Sequence, residues 1–479
     1  MILTEEQQIA IYAAKEFIMN GKPDEYFLID GKAGTGKTTI ASEIVKQFKN
    51  KRCAVAALSH KAKFVIMDKF QAQQIDAEFF SLAGLLGMKY DFDTGTFSAR
   101  ARYIPILDYD LIIIDEASMI NEEALEMIMN EKRKTAKVLF LGDIGQLPPI
   151  RDSNSPYYHE KSDLFGLKSP VFATKNKATL HTRIRQGEDS PILPYADYYW
   201  NNSVKEFMPV LEPCTDATNI ITNKGALLFS KTIKELSDIL VKAYQNAVEA
   251  SNPNHVKIIV YRNEVREALN QAIHKRIFPN SEGLCAGDLI IFNGRCGDIE
   301  NATEGQITNV GNITKDDYGV YYVPLSIRIP RIKDLQIVDY ALPQSRATHK
   351  RIVSGLFSQA KKLQGSSDYY SAIEAATKYK ERYANIDFGY AISSHKSQGS
   401  TYDIVVVFKD DITQVKMIGN KEKSESIYTA LTRARNIAII IYEKSEATSN
   451  FKELDLTALC NTIDEQKDVK ANINPGSDN

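Results

Sequence analysis

Residues 31–38, Gly31-Lys32-Ala33-Gly34-Thr35-Gly36-Lys37-Thr38, join a short apolar run (26–30) to a helical pattern, and they fit G-x-x-x-x-G-K-[ST]. No other stretch constrains the fold as strongly. Glycines at these spacings let successive backbone N–H groups turn inward around phosphate oxygens, which a side chain would block. The helix that follows points its positive N-terminus at the same anion. A strand that ends where a helix begins is the repeating unit of an α/β sheet covered on both faces. Gly31, Ala33, Gly34, Thr35, Gly36, Lys37, Thr38 and Thr39 are therefore expected to bind ATP. Lys37 would neutralise the β and γ phosphates, and Thr38 would offer a hydroxyl to Mg²⁺. A chance glycine-rich turn would not need a strand before it and a helix after it.

Other apolar runs extend the pattern. Residues 53–58, 111–115 and 137–143 read as further buried strands of one sheet, and residues 256–261, 402–408 and 436–442 as a second set. Asp115 and Glu116 close one run, at the carboxyl edge where open α/β sheets bind ligands. Asp115 is expected to hold Mg²⁺ through water, and Glu116 to orient and deprotonate the attacking water. A solvated acidic strand end is the plain alternative, and the phosphate loop weighs against it.

At 479 residues the chain exceeds one ordinary core. With 43% hydrophobic and 25% charged residues it has a globular composition. No run approaches the roughly 18 apolar residues of a membrane helix, and the N-terminus lacks a signal-peptide pattern. Five scattered cysteines, with no CxxC pair, argue for a reducing cytoplasm and against disulfides or structural zinc. A net charge of −2 does not announce a nucleic-acid binder, so any such contact must use local basic strips.

Three inserts interrupt the layers. Residues 88–107 alternate around Asp93-Thr94-Gly95 and read as a β-hairpin. Residues 282–345 read as short strands with glycine turns, and residues 349–383 as amphipathic helix. The polar stretch 462–479 is expected to be disordered.

The motifs after the phosphate loop resemble those of superfamily 1 helicases, in particular the class B, RecD-like branch. Residues 141–149, LGDIGQLPP, resemble the third motif of that family. Residues 389–401, GYAISSHKSQGST, resemble its fifth motif, and residues 428–435, YTALTRAR, its sixth. Residues 180–186, LHTRIRQ, are similar to the fourth. The resemblance covers roughly residues 1–445, and the placement of inserts is nearest to the Dda-like members of the branch. It implies two RecA-like domains with parallel sheets, a β-hairpin insert, a small SH3-like β-barrel insert and a helical insert. The expected division is 1–87 with 108–178 for the first domain, 88–107 for the hairpin, 179–280 with 384–461 for the second domain, and 281–383 for barrel and helices.

By resemblance, Gln146 senses the γ-phosphate, and Arg433 and Arg185 stabilise the charge of the transferring phosphoryl group. Gly399 joins the ATP-binding set. Gln7, in Leu3-Thr4-Glu5-Glu6-Gln7, falls where the family reads adenine, although Thr4 and Gln7 also form a helix capping box. The single strand is expected along Ser59, His60, Lys61 and Pro148 on one layer and Asn263, Ser393 and His395 on the other, all suited to backbone gripping. Relatives often carry Thr-Ile-His-Ser near residues 78–82, and this chain has EFFSL, so no contact carries over there. Phe79 and Phe80 read as core aromatics, while Phe92 and Phe97 of the hairpin are candidates for the duplex-splitting face.

The function implied is ATP-dependent 5′→3′ DNA unwinding with Mg²⁺, on single-stranded DNA and single-strand/duplex junctions. A single-strand-binding protein or replication proteins would be fitting partners, and the motor would act as a monomer off the membrane. The setting would be a bacterial cytoplasm, with phage encoding a fit to the chain size. A strand-walking translocase that strips proteins without unwinding would carry the same motifs. So would a motor on RNA.

Overall fold

Strand β1 (Phe27–Gly31) ends at the phosphate loop, and β2 (Cys53–Ala57), β3 (Glu78–Ser81), β6 (Leu111–Asp115), β7 (Lys137–Gly142) and β8 (Lys177–Leu180) complete a six-stranded sheet around it. A short antiparallel pair, β4 (Lys89–Asp91) with β5 (Thr96–Ser98), falls between β3 and β6. The computed structural model describes residues 3–58, 60–91, 96–98, 103–149, 168–184, 190–204, 219–294, 296–297, 299, 301–330, 335–443 and 454–473. The sheet order is β3-β2-β6-β7-β1-β8, and every pairing in it is parallel.

Residue alternation divides each strand between two cores. Ile29, Val55, Ile113, Leu139 and Leu141 face helices α1 (Glu5–Asn20), α2 (Lys37–Gln47) and α3 (His60–Ala72). Leu28, Ala54, Ile112, Ile114 and Phe140 face the one-turn α4 (Leu82–Leu85) and α5 (Glu122–Glu131). Burial on both faces explains why these strands read as unbroken apolar runs.

The chain then passes through α6 (Ile192–Val204) to β9 (Ile220–Thr222), β10 (Gly225–Ser230), α7 (Ser237–Glu249), β11 (Val256–Val260) and α8 (Asn263–Ile277). It continues into β12 (Leu289–Phe292), β13 (Glu304–Val310), β14 (Thr314–Lys315), β15 (Tyr321–Arg328) and β16 (Gln336–Ala341). Next come α9 (Arg346–Lys362), α10 (Tyr369–Lys380) and β17 (Ile386–Phe388). It finishes with β18 (Ala391–Ser393), α11 (Ser394–Ser397), β19 (Tyr402–Phe408), α12 (Lys409–Thr413), α13 (Asn420–Leu431), β20 (Ala434–Ile441) and α14 (Leu456–Ile473). A second six-stranded sheet has the order β18-β11-β19-β20-β10-β9, with β19, β20 and β10 parallel and β9 antiparallel at the edge.

By contact density the chain forms two compact units, 1–239 with 257–265 and 392–479, and 240–256 with 266–391. The first of these units holds the first sheet and most of the second. The reason is local: Ala33 and Leu147, on loops of the first sheet, are hydrogen-bonded to Tyr428 and Thr429 of α13. In the other unit, β12 to β17 form an antiparallel sheet. A bridge from Asp339 to Tyr383 carries β16 back toward β17, around a core of Ile290, Phe292, Ile307, Leu325 and Ile386.

Several expected borders shift. The first sheet runs to Leu180, past 178, and the antiparallel sheet takes β17 from beyond 383. Residues 105–108 form a 3₁₀ turn whose Ile106 is buried in the first sheet's core, so the hairpin insert is shorter than 88–107. The stretch 462–479 is not wholly disordered: α14 reaches Ile473, with Leu456, Cys460 and Ile463 buried at helical spacing. Among the described residues no helix is long and apolar enough to cross a membrane.

Candidate functional site

The carboxyl ends of β1, β6 and β7 deliver the phosphate loop, Asp115–Glu116 and the 143–147 segment to one cavity of about 360 Å³. Gln7, Ala33, Gly34, Gly36, Lys37, Thr38, Thr39, Asp115, Glu116 and Gln146 line it from the first sheet. Gly399, Ser400, Thr401, Thr432 and Arg433 line it from the second. Gly31 and Thr35 sit in the loop but not on the cavity wall, and the Thr35 hydroxyl donates to the Lys32 carbonyl at 2.9 Å.

The loop's backbone can only be glycine at its tightest point. Gly36 caps α2 at φ +88°, and a Cβ there would lie 2.4 Å from the Gln7 amide nitrogen. The Lys37 ammonium donates to the Gly31 and Lys32 carbonyls at 2.5 and 3.1 Å, which holds it over the loop. Glu116 adopts φ +57°, a left-handed conformation that costs a non-glycine residue about 1–2 kcal/mol. Such strain persists where the surrounding fold fixes it, and here it follows directly on the strand end that carries Asp115. Burial, and then the neighbouring Asp115 carboxylate, push Glu116 up to about 7. Burial also raises Asp115, against the pull of its hydrogen bond from the Glu116 N–H and of Lys37 and Arg433.

Gln146 is 4% exposed, and its Oε1 has no hydrogen-bond partner among the described residues. A buried, unsatisfied oxygen on the wall of a polar cavity fits a ligand that brings a donor, such as water beside a phosphate. Arg433 is anchored on the opposite wall: its Nε donates to the Thr429 carbonyl at 3.1 Å and its Nη1 to the Ser400 carbonyl at 3.3 Å. The Thr38 hydroxyl and Asp115 carboxylate, facing the same space, are the hard oxygen donors that Mg²⁺ prefers.

Gln7 serves the capping box and the loop together. Its Oε1 accepts from the Thr4 N–H, and its Nε2 donates to the Thr35 carbonyl at 3.1 Å. One N–H remains for a base edge. Gln7→Ala is expected to weaken ATP binding about tenfold and to flatten the preference for ATP over GTP and CTP. Competition binding reads this, and an unchanged preference would leave Gln7 with its capping role alone.

Sequence reasoning missed the residues that tie the walls together. The buried Tyr428 hydroxyl donates to Asp143 Oδ2 at 2.6 Å and accepts from the Ala33 N–H at 3.0 Å. Asp143 Oδ1 takes bonds from Trp200 Nε1 (2.8 Å) and the Gly145 N–H (3.0 Å). Gly145 must lack a side chain, since a Cβ would lie 2.1 Å from the Trp200 ring. Lys32 and Arg183 converge on Asp197 at 2.7 and 2.8 Å, and the Ile184 N–H donates to the Gly34 carbonyl.

Of the expected strand contacts, Asn263, Ser393 and His395 come together at the ends of β11 and β18. Asn263 is exposed at the start of α8, and His395 packs edge-on against Tyr261. Asp411 holds this turn by accepting from the Tyr261 and Arg262 N–H groups. Ser393 is committed partly to capping α11, through a bond from the Lys396 N–H. Burial keeps the His395 imidazole below its ordinary pKa, which favours the neutral ring. Pro148 is buried, which leaves it little surface for a strand. Phe79 and Phe80 pack edge-on against Phe70 and Tyr109, as core aromatics. Ser59, Phe92 and Arg185, and the side chains of His60, Lys61 and Phe97, lie outside the described residues.

Two family models match the chain, an AAA domain over residues 3–163 and a UvrD-like helicase C-terminal domain over residues 388–441. An uncharacterised protein of Acanthamoeba polyphaga mimivirus is 24% identical, over 90% of this chain and 97% of its own. The RecD subunit of the RecBCD enzyme of Buchnera aphidicola is 30% identical over 144 residues, 26% of this chain and 23% of that one. A Pif1 helicase from Bacteroides, solved with ADP-AlF3 and single-stranded DNA, shares the fold at a TM-score of 0.50 and 18% identity, over 98% of each chain.

Proposed function

We propose that the chain, whose motifs and family matches are those of the class B, RecD-like branch of the superfamily 1 helicases, is a 5′→3′ DNA helicase. It would move on single-stranded DNA and part duplexes in replication, recombination or repair. One arrangement carries the reading: Lys37, Asp115, Glu116 and Gln146 share a cavity with Gly399 and Arg433, which arrive from the other sheet.

ATP enters with its phosphates against the loop N–H groups and the Lys37 ammonium. The Glu116 carboxylate takes a proton from the water that attacks the γ-phosphorus, as the bond to the β-phosphate oxygen breaks. The Arg433 guanidinium stabilises the negative charge spread over the transferring oxygens. Thr38 and Asp115 would hold Mg²⁺, which supplies charge neutralisation at the β and γ phosphates when bound. Gln146 meets the γ-phosphate three residues beyond Asp143, whose carboxylate is bonded to Tyr428. Loss of the phosphate is thereby felt by α13 and by the sheet that carries Asn263 and His395. A change at the nucleotide becomes a change in the grip on the strand.

Single-stranded DNA is expected to raise the rate of ATP hydrolysis by at least about tenfold, which is 1.4 kcal/mol of activation energy. Lys37→Ala should abolish both basal and stimulated rates. A rate indifferent to DNA would remove the motor reading.

A further inference from the structure

The helical hairpin α9–α10 carries a charge unlike the rest of the chain. Residues 346–382 hold eight Lys and Arg against three Asp and Glu, a net of +5, whereas the chain as a whole is −2 and the remainder is therefore −7. Two of the eight are spent internally: Arg346 donates to the Tyr340 hydroxyl, and Arg382 faces Asp316 and Asp339. The other six, Lys350, Arg351, Lys361, Lys362, Lys378 and Lys380, are exposed, and none has an ion pair among the described residues.

Packing fixes where they point. Ile352, Val353 and Leu356 of α9 turn inward onto Val320, Ala341 and Tyr379, so the cations occupy the solvent face. His349 Nε2 lies 3.1 Å from the Tyr379 carbonyl, which sets the start of α9 beside the end of α10. Lys350 and Arg351 therefore group with Lys378 and Lys380, while Lys361 and Lys362 lie at the turn. Eleven helical residues separate the two groups along α9, about 16 Å at 1.5 Å per residue. Between them the surface is low, with Ser354, Gly355 and Ser358 exposed, and a Cβ on Gly355 would meet nothing within 4 Å.

The six exposed cations repel one another, and the three acids of the same hairpin, Asp368, Glu374 and Glu381, offset only part of the charge. Such a surface is favourable against a dense, regular polyanion. Double-stranded DNA carries one charge per ~1.7 Å of axis, so ~16 Å of it offers about nine phosphates. Two cation groups held at a fixed separation suit a stiff duplex better than a flexible single strand, which would lose entropy on matching them. We propose that the α9–α10 hairpin binds the phosphate backbone of double-stranded DNA, as a contact additional to the residues assigned to the single strand. Its ligand rests on the helicase reading.

The test uses the full chain with Lys350, Arg351, Lys361, Lys362, Lys378 and Lys380 all changed to alanine. A second variant, with the five lysines changed to arginine, keeps the charge. Binding to a blunt duplex and to a single strand of equal length is measured between about 50 and 200 mM salt. Each lost phosphate contact lowers the salt slope by ~0.9, so the alanine variant is expected to lose ~3–5 in slope and at least about tenfold in duplex affinity. The arginine variant should keep both, and ATP hydrolysis stimulated by single-stranded DNA should be unchanged in either. An unaltered duplex slope in the alanine variant, or an equal loss on the single strand, would overturn the proposal. Failure of the helicase reading looks different, because wild type itself would then show no stimulation by DNA.

Discussion

Arg433→Ala is expected to slow ATP hydrolysis by on the order of 10³–10⁵, the contribution of an arginine that meets the transferring phosphoryl group. Arg433 is only 6% exposed and lies on the cavity wall opposite Lys37 and Glu116. Carbonyls of Thr429 and Ser400 orient its guanidinium, and the Thr432 hydroxyl accepts from Nη2 at 3.2 Å. Lysine cannot reproduce that fork, so Arg433→Lys should be nearly as slow. A group that acts on the transition state lowers kcat with little change in nucleotide affinity, whereas a purely structural arginine lowers affinity and thermal stability together. Steady-state kinetics beside nucleotide binding separates the two. A kcat within tenfold of wild type would reassign Arg433 to the scaffold.

Glu116→Gln carries the second large effect, a fall in kcat of about 10²–10⁴ for loss of the general base. Glutamine keeps the shape and the left-handed backbone but cannot accept the proton. It also removes one of two adjacent carboxylates whose burial and mutual repulsion raise Glu116 to about 7. Nucleotide should therefore bind the variant at least as well as wild type, and single-stranded DNA should still bind. A single-turnover assay with bound ATP reads the chemical step directly. Normal turnover in Glu116→Gln would move the base elsewhere on the cavity wall.

The parts of this molecule that could be read from sequence are those whose physics is local. Strands Leu111–Asp115 and Tyr402–Phe408 stand at their expected bounds because both faces of each are buried and the apolar run is uninterrupted. Edge strands were lost for the opposite reason. Lys177–Leu180 and Glu78–Ser81 are four residues each. Gly225–Ser230 is an interior strand, hidden because so short an apolar run could equally sit in a helix. The last helix was hidden by composition, since three buried positions at 456, 460 and 463 are outnumbered by polar neighbours.

The site divides along the same line. Residues 31–38, Asp115–Glu116 and Gln146 could be singled out because each motif is contiguous and ends a strand. Tyr428 could not, because its bonds to Ala33 and Asp143 span 395 and 285 residues. Trp200 and Asp197 belong to α6, which carries no motif at all, and only the folded chain brings them to Asp143 and Lys32.

The most direct test of the central claim is strand separation on matched duplexes with either a 5′ or a 3′ single-stranded overhang, in ATP and Mg²⁺, beside a Lys37→Ala control. The account predicts unwinding of the 5′-overhang substrate alone, lost in the control. Unwinding from the 3′ overhang would contradict the direction. No unwinding of either substrate, with DNA-stimulated hydrolysis intact, would contradict the helicase reading and leave a translocase.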